Sequence, residues 1–149
     1  MEKGAIMLKT KLLHPEIFCA LGSLGHGSKI LIADGNFPFK THTPSHAARV
    51  FLNLMPGVVQ VTQVLETLVE TIPVESALVM VPPDGAHQPI FDAFAACLPG
   101  IEIKKTKRFE FYEEAKSEQT GLLIATGEQR RFANLLLTIG VIKSPLYEL

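Results

Sequence analysis

His26 and Asp34 stand at the two ends of a short apolar run, within residues 25–38, which read GHGSKILIADGNFP. An imidazole titrates near 6.5, so a histidine here can both give and take a proton at neutral pH. Glycines on either side of His26 permit a tight turn and the close approach of a ligand. Asp34 begins an Asp-Gly pair, and its carboxylate can hold a ligand hydroxyl or orient an acid/base partner. The same residues also have purely structural uses. A histidine ring can cap a helix end, and an aspartate at such a turn commonly bonds nearby backbone N–H groups.

Three other groups carry chemistry. His42 and His46 are four residues apart, a spacing that pairs ligands on a helix, but Pro44 lies between them and the segment reads as loop. No cysteine pair or carboxylate cluster completes a set, so a metal site is not expected. Lys104, Lys105, Lys107 and Arg108 form a small cationic patch, as suits a solvated edge strand. Arg108 is followed directly by Phe109, Phe111 and Tyr112, and its fork of donors suits sugar hydroxyls or a carboxylate. Residues 127–134, GEQRRFAN, lie between two apolar runs. If extended, this stretch projects Phe132 and Asn134 in the same sense, an aromatic face with an amide beside it. That pair suits a sugar ring; the alternative is a hairpin whose phenylalanine packs in the core.

The elements that must position these groups follow from periodicity. Residues 77–81 are a continuous apolar run, the pattern of a strand covered on both faces, and 29–33, 122–126 and 135–141 are further apolar strands. Residues 48–54 are a further strand candidate, and the polar stretch 102–107 reads as a peripheral strand. Pro15 opens a helix whose apolar face is Ile17, Ala20, Leu21 and Leu24, with Gly25 as its stop. Val58, Val61, Leu65, Leu68 and Ile72 define a second helix ended by Pro73; residues 88–98 and 109–117 read as two more. Strands alternating with helices predict an α/β fold, a layered α/β/α sandwich around a central sheet.

With 149 residues and no linker or low-complexity segment, a single domain spanning 1–149 is expected. Met7 is a possible start, with the residues before it forming a loose N-terminal extension. A net charge of −1 without a basic run excludes nucleic acid as the main partner. No run approaches the ~20 apolar residues of a membrane span, and no basic-then-apolar leader is present, so a cytoplasmic location is expected. Cys19 and Cys97 lie among apolar residues and are read as two reduced, buried thiols. Low charge with 47% hydrophobic residues leaves room for a subunit interface.

Three blocks taken together, GHGSKILIADGNFP, KRFEFYEEA and ATGEQRRFANLLLTIGVI, resemble the fucose mutarotase and ribose pyranase family, in the same order and at compatible spacing from residue 8 to 142. The resemblance implies an isomerase without cofactor or metal that interconverts anomeric or ring forms of a free monosaccharide. It also implies ring-shaped homo-oligomers, octamers or decamers. By position, His26 matches the catalytic histidine and Asp34 a substrate-binding carboxylate. Phe132, Ala133 and Asn134 match the late sugar-binding segment, usually Tyr-X-Asn. Arg108 falls where the fucose branch has arginine and the ribose branch histidine, which points to the fucose branch. There are two departures: Phe132 lacks the tyrosine hydroxyl, and Ser28 replaces an acidic residue. The rival function is a non-catalytic sugar-binding or regulatory protein on the same fold.

One difficulty concerns reach. Across eight residues an extended chain separates His26 from Asp34 by roughly 26 Å, more than a monosaccharide spans. Either the glycine-flanked loop folds back, or a neighbouring subunit completes each pocket, and the second arrangement is the one expected.

Overall fold

In a computed structural model, which describes residues 7–144 and 146, the apolar runs become strands and the amphipathic stretches helices. In chain order the elements are α1 (Pro15–Gly22), β1 (Lys29–Ala33), β2 (Ala48–Phe51), α2 (Val61–Val69), β3 (Val74–Met80), α3 (Pro89–Cys97), β4 (Ile103–Thr106), α4 (Arg108–Ala115), β5 (Thr120–Ala125) and β6 (Leu135–Ile139). Residues 1–6, the expected loose extension, lie outside the described residues.

The strands form one sheet in the order β2-β5-β1-β6-β3-β4. β1 pairs in parallel with β5, as do β2 with β5 and β3 with β4, while β6 runs antiparallel between β1 and β3. Alternation along β1 explains the layering. Ile30 and Ile32 face a core built with Ile17, Leu65, Leu68 and Phe94, which places α1, α2 and α3 on that side. Leu31 and Ala33 face the opposite core, closed by Phe111 and Ala115 of α4. The apolar stretches of the central strands, such as residues 30–33 of β1 and 122–125 of β5, are therefore buried on both faces. The expected α/β/α sandwich is borne out. The lysine-rich β4 is an edge strand, where charge discourages sheet-to-sheet association.

Two local expectations need correction. α1 ends at Gly22 rather than at Gly25, because the N–H groups of Ser23 and Leu24 turn back to the carbonyls of Ala20 and Leu21 and tighten the last turn. Cys19 is exposed and Cys97 only half-buried; both thiols are free. In α1 the core takes Ile17 and Ala20, and at about 100° per residue Cys19 falls on the outer side.

The topology gathers one rim. β1, β2, β3, β4 and β5 all point the same way, so their C-terminal ends lie together, and antiparallel β6 begins there. β5 and β6 both pair with β1, so residues 126–134 cross over the end of β1 instead of forming a hairpin. Gly127 in this crossing has no room for a side chain: a Cβ would collide with the carbonyl oxygens of Met55 and Val58. Its own N–H and C=O bond Val59 and Gly57, which ties the crossing to the turn before α2.

Candidate active site

Asp34 is the first residue past β1, at the rim where open α/β sheets bind ligands. It is only 3% exposed. Its Oδ1 accepts from the Asn36 N–H at 3.0 Å, and its Oδ2 accepts from Asn134 Nδ2 at 3.3 Å. Its own N–H donates to Asn134 Oδ1 at 2.8 Å. Burial pushes the Asp34 carboxyl above the usual range; N–H groups of Asn36, Ala133 and Phe37 oppose this, and the charge of Glu128 adds to it.

The crossing segment is built to present Phe132 and Asn134. Thr126 Oγ1 donates to the Ala33 carbonyl at 2.7 Å and accepts from the Glu128 N–H at 3.2 Å, so the segment is bolted to the end of β1. Glu128 is buried, its Oε1 receiving the Arg130 fork and its Oε2 receiving the N–H groups of Gln129 and Arg130. Burial raises the Glu128 pKa, but Arg130 and those amides outweigh it and hold the carboxyl below its ordinary 4.5. Arg130 also reaches Thr62 Oγ1 of α2 at 3.1 Å. Phe132 has φ of 57°, in the left-handed region, a conformation that costs a side-chain-bearing residue roughly 1–2 kcal/mol. Strain of this kind concentrates at ligand sites. The segment is not extended, contrary to the condition under which Phe132 and Asn134 were expected to project together, yet both still face one cavity.

That cavity, of about 320 Å³, is lined by Asp34, Arg108, Phe132 and Asn134, four of the residues singled out in the sequence. It lies at the small end of the ~300–1,000 Å³ range of small-molecule sites. Its polar groups suit a polyol. Asp34 offers acceptors, Arg108 offers donors, and Asn134 retains one N–H and a lone pair beyond its bonds to Asp34.

Ala133 does not line the cavity. Its side chain is fully buried in the core, and its backbone N–H serves Asp34 instead. His26 does not line it either. It sits in the exposed turn before β1, at the opposite end of the strand from Asp34, with Nε2 3.1 Å from Glu75 Oε2. Gly27 N–H donates to the Ile139 carbonyl at 2.9 Å and holds this turn against β6. Within one chain the loop does not fold back over the strand. His42 and His46 have separate partners: His42 packs edge-on to Tyr112, with centroids 4.7 Å apart, and His46 Nε2 lies 2.9 Å from the Glu118 carbonyl.

Asn36, Phe37, Met80, Tyr112 and Arg131 also line the cavity and were not singled out for it in the sequence. Tyr112 was legible in principle, since it lies one helical turn after Arg108 on α4 and shares its face. Asn36 and Phe37 lie within the opening motif, and Arg131 lies beside Phe132. Met80 carries no such signal; only the pairing of β3 with β6 brings its end to the rim.

The fold and site together define a small α/β domain with a polar cavity at the C-terminal ends of its parallel strands. The model of the RbsD / FucU transport protein family matches residues 7–142, and the chain belongs to that family. Fucose mutarotase of Mus musculus is 34% identical over 146 residues, covering 89% of this chain and 92% of that protein. D-ribose pyranase of Geobacillus kaustophilus is 28% identical, covering 91% of this chain and 95% of that protein. Among solved structures, Bacillus subtilis RbsD complexed with D-ribose superposes with a TM-score of 0.79 at 26% identity, covering 92% of this chain and all of that one. FucU from Bifidobacterium longum does so with a TM-score of 0.73 at 31% identity, covering 87% and 95%.

Proposed function

We propose that this protein is a mutarotase that interconverts the anomeric or ring forms of a free, fucose-like monosaccharide by general acid/base catalysis, with no cofactor. The observation that carries the proposal is the convergence of Asp34, Arg108, Phe132 and Asn134 on one cavity of sugar-binding character. The names of the relatives, fucose mutarotase and D-ribose pyranase, support the same reaction class.

A general base takes the proton of the anomeric hydroxyl while a general acid protonates the ring oxygen. The ring opens to the aldehyde, the carbonyl face turns, and the ring closes with both transfers reversed. Asp34, Arg108 and Asn134 orient the hydroxyls, the Ala133 amide steadies Asp34, and Phe132 covers an apolar face of the ring. His26 is the proton carrier, because an imidazole works in both protonation states near neutral pH. A positioned acid or base contributes ~10²–10⁴-fold, a large gain over the slow reaction in water.

His26 lies at the wrong end of β1 to serve the cavity of its own chain. It serves the cavity of a neighbouring subunit in a ring-shaped homo-oligomer, an octamer or decamer. No described helix is long and apolar enough to cross a membrane, in keeping with the cytoplasmic location we assign.

Phe132 favours a second function, a sugar binder without catalysis, since the cavity lacks a hydroxyl there. Saturation-transfer NMR between anomers separates the two. A mutarotase raises the exchange rate of L-fucose in proportion to enzyme, and His26→Gln abolishes the increase while the sugar still binds. Exchange that stays at its solvent value with the unaltered protein overturns the catalytic assignment.

A further inference from the structure

The sugar cavity has an apolar neighbour. Arg108 and Phe132 belong to both, and beyond them a second hollow of about 230 Å³ is lined by Val81, Pro83, Lys107 and Phe109. Four of its six lining side chains are apolar, so it suits a hydrocarbon group better than a hydroxylated ring. Phe109, one of its walls, is 75% exposed although aromatic.

A matching apolar group stands at the other end of the molecule. Val141 and Ile142, just past β6, are 57% and 80% exposed. They are tied to the turn that carries His26. The Gly27 N–H donates to the Ile139 carbonyl and the Ile139 N–H to the Ser28 carbonyl, both at 2.9 Å. Gly140 donates to the Pro73 carbonyl at 2.9 Å, and a Cβ on it would come within 3.2 Å of Glu75, the partner of His26. At no more than ~3.6 Å per residue, Ile142 stays within roughly 11 Å of Ile139. A neighbour that delivers His26 to the cavity of this chain therefore delivers Val141 and Ile142 to the same rim. Within one chain the two groups cannot meet: Ile139 pairs with Val74, whereas Pro83 lies beyond the opposite end of β3.

The exposed charges around the two groups are complementary. Glu75 stands beside the 141–142 tip, while Lys107 and Arg108 line the hollow. Lys143 follows Ile142, and Asp84 follows Pro83. A contact between opposite ends of two copies is head-to-tail, the kind that closes into rings.

We propose that Val141 and Ile142 of one subunit seat in the hollow beside Phe109 of the next, and that this contact aligns His26 with the neighbouring cavity. The proposal rests on the shared-site reading above and names the surfaces that make it.

The test is a disulfide made across the contact in the intact protein. Pro83→Cys and Ile142→Cys are combined in a chain that also carries Cys19→Ser and Cys97→Ser. Mild oxidation should link subunits into a ladder of dimers and larger species on a denaturing gel without reductant. Chains carrying only one of the two new cysteines should form no such ladder. A double variant that links no better than the single ones overturns the contact. A second measurement needs no cysteine. Ile142→Ser and Phe109→Ser should each weaken assembly about tenfold, read by sedimentation across a dilution series. Together they should weaken it no further than the worse one alone, because both remove the same contact. Losses that multiply, or assembly indifferent to both substitutions, overturn the proposal. Neither readout depends on catalysis. Linked subunits with L-fucose exchange at its solvent value overturn the mutarotase and leave the contact standing; catalysed exchange without linkage overturns the contact alone.

Discussion

Asn134 clasps Asp34 at two points: its Oδ1 accepts from the Asp34 backbone N–H at 2.8 Å, and its Nδ2 donates to Asp34 Oδ2 at 3.3 Å. The two residues are 100 positions apart and both buried, so this clasp joins the end of β1 to the start of β6 in a setting of low dielectric, where hydrogen bonds are stronger than in water.

Asn134→Ala leaves the buried Asp34 N–H without its partner, a loss of about 1–3 kcal/mol. The melting temperature should fall by about 2–4 °C for each kcal/mol in a chain of this size. Sugar exchange should fall with it, because Asp34 then loses its orientation. Thermal denaturation followed by circular dichroism checks the first effect; an unchanged melting temperature would show that the clasp carries no stability.

The sharing of sites between subunits that we propose has a direct consequence for mixtures. His26→Gln and Asp34→Asn should each be inactive alone, since every site in either homo-oligomer lacks one partner. Co-expressed in one oligomer, they should regain L-fucose exchange, because some sites then receive a normal His26 from one subunit and a normal Asp34 from another. A mixture as inactive as its components, in a verified mixed oligomer, counts against shared sites.

Phe132→Tyr places a hydroxyl at the cavity wall. A bond to the sugar or to a neighbouring side chain is worth about 0.5–1.5 kcal/mol, so kcat/KM for L-fucose should rise about 2- to 10-fold. The backbone requirement is unaltered, as both side chains must adopt the left-handed conformation seen at this position. A fall in kcat/KM would mean that the space beside the ring is already filled.

Glu128 links stability to pH. Its carboxyl is held below its ordinary 4.5 in the folded chain, so the unfolded chain binds more protons as pH falls. The stabilisation is therefore complete above about pH 4.5 and disappears as pH drops through the lower folded value. Glu128→Gln should be less stable than the natural chain at pH 7, by about 1 kcal/mol because Arg130 is partly open to water. That gap should close in acid. Urea unfolding at pH 7 and at pH 3.5 measures it, and a gap independent of pH would assign the loss to packing instead.

The layering and most of the site's ingredients were legible because they depend on local chemistry. The short apolar run Ile30, Leu31 and Ile32, rich in β-branched residues and bounded by glycine turns, reads as a strand buried on both faces. Asp34, Arg108, Phe132 and Asn134 were recognisable by type and by neighbouring residues. Which way a side chain faces was less legible. Ala133 sat inside a recognisable sugar segment, yet its methyl group turns into the core. Cys19 sat among apolar residues, yet it lies on the outer side of α1.

What the sequence determined by itself is thus the set of strands and helices, the α/β class, and the residue types available for sugar chemistry. Which of them meet was decided by the tertiary structure. The antiparallel insertion of β6 beside β1 carries residues 126–134 across the strand end, bringing Asn134 and Arg131 to Asp34. The same sheet holds His26 at the other end of β1. Pairing between strands ninety or more residues apart follows from long-range hydrogen bonding and burial that no local pattern encodes, and this pairing places His26 and the Asp34 cavity on opposite rims of one chain.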